Sequence, residues 1–500
     1  MLIYMKTVVN INPEVEYENA KQLIELAASE VLGTDNKSAL STSVDKLMEA
    51  TRVLMEREER RRGLYKSEPP NANSPKGRSK GESREESKKL PSERYSNLEV
   101  KEVINKPAII PLCSCCQAPM VESGLYSTKE KLEIQPAVYF ITRLKSVKYN
   151  CSKCHGSMVN TAAPASIVPT SNYGDSLIID VALSKYCDLI PIERYAQIAY
   201  RQGLEDLPAQ SLIGLTHHLA NFLLEVYIKL KLEVQKSKII QADETPHKML
   251  EGDEKMNWFL WGFFCKTACC FEIHDTRSGD VATSFLKDSL AEFLLTDGYA
   301  GYGKSIKELK EKYNNEVGEV FCNAHAYRYF EEASTTWKDE CAPFLELYGK
   351  IYELEEQKNK SPSTEAITFR QMMLPHFESI KTECEKQQQS AMPHSGLSKA
   401  INYFLNHFSG LTKCLINPDI PLDNNLSERE LRAPVIGRKT WYGNHSKRGA
   451  LTSAILFSIV QSCKLNNINP RKYFPWVVEL IHQGKAPLTP SEYLNIIKST

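Results

Sequence analysis

Residues 238–245 read KIIQADET, an apolar run that closes on two adjacent carboxylates, Asp243 and Glu244. NWFLWGFF (257–264) and ACCFEIHD (268–275) follow, both short and rich in aromatic or apolar residues, as strands are. An amphipathic helix is predicted over Asp280–Leu290 and a fourth strand over EFLLTDG (292–298). The order is β-β-β-α-β, with Asp243 at the end of the first strand and Asp297 at the end of the fourth.

In a ribonuclease-H-like sheet those two strands lie side by side, which would bring both carboxylates to one edge. Two carboxylates on a cleft suit Mg²⁺, a hard ion that takes oxygen ligands and keeps several waters. A third acid is expected from a helix. The stretch PLDNNLSERELRAPVIGRKTWYGNHSKRG (421–449) supplies one, with Asp423 or Asn424 as N-cap and Glu428 one turn in. Glu428 and Arg432 share a face, whereas Glu430 points away. From Arg429 to Arg448 the run carries Arg429, Arg432, Arg438, Lys439, Lys447 and Arg448 against one acid, interleaved with Trp441, Tyr442 and His445. That mixture can hold phosphates and stack bases. Glu244 is read as a turn residue beside the site, not a ligand.

The rest of the chain bounds these readings. Five hundred residues suggest several domains. With 42% apolar and 25% charged residues the composition is that of an ordinary soluble protein, and a formal net charge of zero leaves any anionic partner to local basic patches. No signal peptide is expected at the N-terminus. The most apolar segment, Trp258 to Phe271, is interrupted by Lys266 and too short for a bilayer, so a cytoplasmic location without membrane contact is expected.

Helices are predicted over about 15–33 and 43–62, with a fragment of a heptad pattern in the second, followed by a mixed-charge flexible linker. CSCCQAPM (113–120) and YNCSKC (149–154) then flank the strand-like AVYFITRLKSVKY. Paired C-x-x-C turns point to a zinc ribbon with ligands Cys113, Cys116, Cys151 and Cys154, while Cys115 and His155 stand close enough to substitute. Residues 175–235 read as helical, and IERYAQIAYRQGLEDLPAQSLIGLTHHL (192–219) has the helix–Gly203–helix form of a helix-turn-helix, equally common in plain bundles. A mostly helical stretch runs from about 304 to 408.

IIQADETPHKM, LLTDGYAGY, CNAHAYRYFEEA and DNNLSERELRAPVIGRKTWYGN, in that order, together with the ribbon and SKYCDLIPIERYAQIAYRQGL, resemble the transposases of the insertion-sequence-66 family. The resemblance covers about Cys113 to Leu480. It implies a DDE transposase whose acids fall on Asp243, Asp297 and Glu428 and hold two Mg²⁺ (or Mn²⁺) ions, with structural Zn²⁺ in the ribbon. It implies DNA contacts at His325 and Arg328 beside those of the basic run, namely Arg429, Arg432, Arg438, Lys439 and Trp441. The partners it implies are the element's terminal inverted repeats, target DNA, further copies of the chain in a synaptic complex, and accessory proteins of the same element, at the nucleoid. Asn323 and Tyr327 depart from the family pattern, as does the C-S-C-C opening of the ribbon.

The expected architecture is multidomain α+β: a zipper-like helical segment (1–65), linker (66–104), zinc ribbon (105–160), helical DNA-binding region (161–236), ribonuclease-H-like catalytic core (237–330), helical insertion (331–420), and catalytic helix with C-terminal helices (421–500). Two other functions fit the same residues. One is a non-catalytic or decayed zinc-containing DNA-binding protein. The other is a nuclease that cuts without joining.

Overall fold

The computed structural model describes residues 163–499 apart from 205–206 and 251–256, together with 90–94, 100, 138–145, 148–150 and 158–160. The helices expected near the N-terminus, most of the linker and all four expected zinc ligands lie outside the described residues. The chain divides into two compact units, 70–145 and the remainder.

In the smaller unit a single helical turn, α1 (Pro91–Arg94), is described, along with residues 138–145. That second stretch was expected to be strand. It carries no regular structure and is mostly exposed, Ile141 at 95%.

In the larger unit β1 (Lys148–Asn150) pairs antiparallel with β2 (Met158–Asn160). The connection between them includes Cys151 and Cys154. Four helices follow: α2 (Asp175–Tyr186), α3 (Ile192–Arg201), α4 (Ala209–Phe222) and α5 (Leu224–Gln235). Gly203, at φ +89°, makes the turn after α3, a backbone state open to glycine and strained for other residues. α4 buries Leu212, Leu215 and Leu219, and the outward side of this helix carries Gln210, Ser211, His218 and Asn221.

A five-stranded mixed sheet comes next: β3 (Ile239–Lys248), β4 (Asn257–Phe264), β5 (Cys269–His274), β6 (Phe293–Thr296) and β7 (Gly318–Phe321), in the spatial order β5-β4-β3-β6-β7. β3, β4 and β5 form an antiparallel meander, and β6 and β7 extend it in parallel with β3. β4 is apolar almost throughout because both its faces are covered. On one side Phe263 stacks on Phe285 of α6 (Asp280–Leu286) at 3.8 Å, and Trp261 meets Tyr302 of α7 (Ala300–Tyr313) edge-on. Each such buried aromatic contributes roughly 1.5–3 kcal/mol.

Two expectations need correcting. β3 does not end at the carboxylates but runs on to Lys248, because Thr245 to Lys248 keep pairing with β4. The predicted helix to Leu290 stops at Leu286, and the Leu290 N–H turns away to donate to Gln235 O. β7 was not anticipated at all. It is four residues long with a polar centre, GEVF, set between two helices.

The remaining chain is helical. α8 (Asn323–Ala333) leaves β7, and α9 (Lys338–Lys360), α10 (Ala366–Gln388) and α11 (Gly396–Leu411) pack with it around a second core that includes Leu295 and Val320 of the sheet. α12 (Asn425–Trp441) crosses β3 and β4, followed by α13 (Lys447–Leu465), α14 (Pro470–His482) and α15 (Pro490–Ser499). α13 seals the open edge of β5: Ser462 Oγ accepts from Cys269 N–H at 2.9 Å and Ser458 Oγ from Phe271 N–H at 2.8 Å. An edge strand left bare would invite pairing with another chain. Among the described residues no helix is long and apolar enough to cross a membrane.

Candidate active site

The register of β3 against β6 pairs Gln241 with Leu295. Continued by two residues, it sets Asp243 beside Asp297, the first residue after β6. Each acid is steadied by its own backbone. Asp243 Oδ1 accepts from Glu244 N–H at 2.8 Å, and Asp297 Oδ1 from Tyr299 N–H at 2.9 Å. Tyr403, on α11, donates its hydroxyl to Asp297 O at 3.0 Å, so the helical insertion braces the turn.

Glu428 arrives from the first turn of α12. Its carboxylate lies 3.6 Å from His325 Nε2 and 3.5 Å from Arg328 Nη2, both on α8. The loop before α12 is pinned to the start of α8: Asn323 N–H donates to Leu422 O, and Asn424 N–H to Cys322 Sγ. The N-cap is Asn424, although its side chain makes no capping bond; Asp423 Oδ1 instead accepts from Asn425 N–H at 3.1 Å. Glu430 faces the other way, buried and bonded to Arg429.

Asp243 is held well above the usual carboxylate range by burial first, then by the charges of Asp297, Glu244 and Glu428. Burial and the Arg328 charge lower the His325 pKa, against the pull of Glu428. Burial lifts Asp423 to about 6.

Glu244 corrects the reading of it as a turn residue. It sits inside β3 with its side chain 1% exposed, accepting from Arg277 at 2.9 and 2.7 Å and from Tyr302 at 2.6 Å. Both oxygens are engaged by protein donors.

Among the described residues no three His, Cys, Asp or Glu side chains converge tightly enough to enclose an ion as they stand. The donor set nonetheless fits a hard cation. Glu428 Oε1 and Asn424 Oδ1 are buried oxygens without a hydrogen-bond partner, the type of donor such an ion takes. Such groups are costly unless something else satisfies them.

The basic run after Glu428 is divided. Arg429, Arg432 and Lys439 are exposed and Arg438 is half-buried. Trp441 packs against Phe457 and Tyr186 with Lys185 Nζ 5.2 Å above its ring, and Tyr442 beside it is 74% exposed. Sequence reasoning passed over Tyr403 and Arg277. The first lies deep in a helical stretch with nothing to mark it, and the second in DTRSGD, which reads as an ordinary turn.

A mixed sheet carries one acid within β3 and one just after β6, and a helix delivers a third; comparison with known proteins gives the class. Residues 170–452 match the family model described as Transposase IS66 family, and residues 111–155 match the zinc-finger binding domain of transposase IS66. The first match takes in more than half of the chain, so the protein belongs to the IS66 transposase family and carries its DDE transposase domain.

Three proteins of Sinorhizobium fredii, each called uncharacterized, are similar over most of their length. y4jD is 25% identical over 396 residues, 76% of this chain and 77% of its own. y4hP is 22% identical over 392 residues (74% and 70%), and y4qI 24% over 405 residues (78% and 74%).

Proposed function

We propose that the protein cuts DNA at the ends of an insertion sequence and joins the freed strands to target DNA, using Asp243, Asp297 and Glu428 on a ribonuclease-H-like sheet. The observation that carries this reading is the strand register. It sets Asp243 beside Asp297 at one sheet edge, where the charge of Glu428 also reaches Asp243.

The three acids would hold Mg²⁺ or Mn²⁺, two ions in all. Divalent ions held there would supply Lewis-acid activation of an attacking oxygen and charge stabilisation of a leaving one. The chain's own residues supply the rest. β3 and the Asp297 turn fix two carboxylates in a rigid frame, while α8 steadies Glu428 through His325 and Arg328. Those two side chains, with Arg429, Arg432, Arg438, Lys439 and Trp441, are proposed to contact the DNA strands near the acids. Cys113, Cys116, Cys151 and Cys154 are proposed as the ligands of a structural Zn²⁺, a role the zinc-finger match over 111–155 supports. The domain boundaries expected from the sequence are kept as part of this reading. So are a multimeric complex on paired DNA ends, accessory proteins of the element, and work at the nucleoid.

The test is a strand-transfer assay. Full-length protein meets linear DNA carrying the repeats that flank its gene, in Mg²⁺, Mn²⁺ or EDTA, beside Asp297→Asn. Joined products that need the metal and vanish in the variant are expected. Cleavage without joined product would favour a nuclease, and binding alone, equal in both proteins, a non-catalytic DNA-binding protein.

A further inference from the structure

The loop between β5 and α6 carries a cation for which the mechanism above has no use. Arg277 Nε and Nη2 both donate to Glu244 Oε1, and its Cζ lies 4.1 Å from the centre of the Tyr299 ring. The Tyr299 hydroxyl returns to donate to Arg277 O at 3.0 Å. The loop itself is fastened. Trp261 Nε1 donates to Thr276 O, and Gly279 passes so close to α7 that a Cβ there would lie 2.2 Å from Gly301 O. The guanidinium is thus held as a fixed plane, and Nη1 has no partner among the described residues.

We propose that Arg277 contacts a backbone phosphate of the DNA strand lying against Asp243 and Asp297, with Glu244 and Tyr299 presenting its guanidinium. The inference rests on the DNA-joining reading and adds a residue to it. Three observations carry it. First, the position: Tyr299 follows Asp297 by two residues, Glu244 follows Asp243, and β3, β5 and β6 all end on this side of the sheet.

Second, the asymmetry: the Glu244 side chain is 1% exposed and that of Arg277 47%. The Arg370 side chain, by contrast, is 0% exposed against Glu355. Arg277 instead turns its free side to solvent. Third, the chemistry: a phosphodiester entering an edge lined by carboxylates is repelled unless cations lie beside it, and a planar fork with spare N–H donors fits phosphate oxygens.

The experiment follows the salt dependence of DNA binding by fluorescence anisotropy. Full-length protein is titrated into a labelled linear duplex of the DNA flanking its gene, with Ca²⁺ present. Arg277→Gln is compared with the double variant Glu244→Gln/Arg277→Gln, which leaves no buried charge unpaired and so protects the fold. Loss of one phosphate contact makes the negative slope of log K against log salt shallower by about 0.7 to 0.9, and both variants are expected to show it. A wild-type slope in the double variant overturns the proposal, whatever Arg277→Gln does to thermal stability. Joining by the wild type, measured in parallel with Mg²⁺, separates the two ideas. If the wild type joins DNA and the slopes are equal, only the role of Arg277 fails. If the wild type neither joins nor binds DNA, both fail.

Discussion

Asp243 and Glu244 are consecutive on β3 and so point to opposite faces of the sheet. Glu244 turns toward α7, where Tyr302 and Arg277 take up both oxygens. Asp243 turns toward the Asp297 turn and α12, with one oxygen bonded only to a neighbouring backbone N–H. Burial and the charges of the neighbouring acids make the folded protein hold the Asp243 proton more tightly than the unfolded chain does. A raised carboxyl pKa means that the folded state binds more protons, so stability falls as pH rises from about 4 through the folded value. Asp243→Asn is expected to raise the melting temperature of metal-free protein at neutral pH and flatten its decline with pH. Melting curves in EDTA from about pH 4 to pH 8 check this, and saturating Mg²⁺ should flatten the wild-type curve in the same way. The adjacency of the two acids was legible in the sequence, but their division of labour was not. With β3 judged to end at Glu244, the alternation of faces had no strand to act on.

At the scale of elements, the sheet was largely readable. Three apolar-rich runs, a helix and a fourth strand appear in the order expected, since covered strands leave near-continuous apolar sequence. β7 escaped because four residues carry too little periodicity to stand out between α7 and α8. The continuation of β3 escaped because its reason is distant in sequence. The strand is extended past Pro246 by pairing with β4 and by the Asn444 segment after α12. There His247 Nε2 meets Asn444 Oδ1 at 2.7 Å and Gly443 passes so close that a Cβ would lie 2.2 Å from Lys248 O. The cover over β5 was equally invisible: Ser458 and Ser462 read as polar residues of an apolar helix. Replacing either with alanine strands a buried N–H, at a cost of about 1–3 kcal/mol each. Urea unfolding of Ser458→Ala and Ser462→Ala is expected to give losses in that range. Values near zero would mean the β5 edge is not sealed by these hydroxyls.

Across the whole molecule, acids far apart in the chain meet because two cores share one sheet. The first core lies around β3, β4 and β5 with α12 and α13, and the second joins β6 and β7 to α8–α11. Asp297 sits where they adjoin, with its carbonyl bonded to Tyr403 of the second. The insertion is thus a support for the site as well as a separate bundle. Tyr403→Phe removes that bond alone, with an expected loss of about 0.5–1.5 kcal/mol in stability and a slower DNA cleavage rate. Unchanged cleavage would show that the insertion does not position Asp297.

Asp243, Asp297 and Glu428 are proposed to act as one divalent-metal site. This is tested most directly by Mn²⁺ binding, followed by electron paramagnetic resonance, to wild type, Asp243→Asn, Asp297→Asn and Glu428→Gln. The wild type is expected to bind Mn²⁺ and each variant to bind it more weakly. Wild-type affinity in Glu428→Gln, or in either aspartate variant, would contradict the proposal.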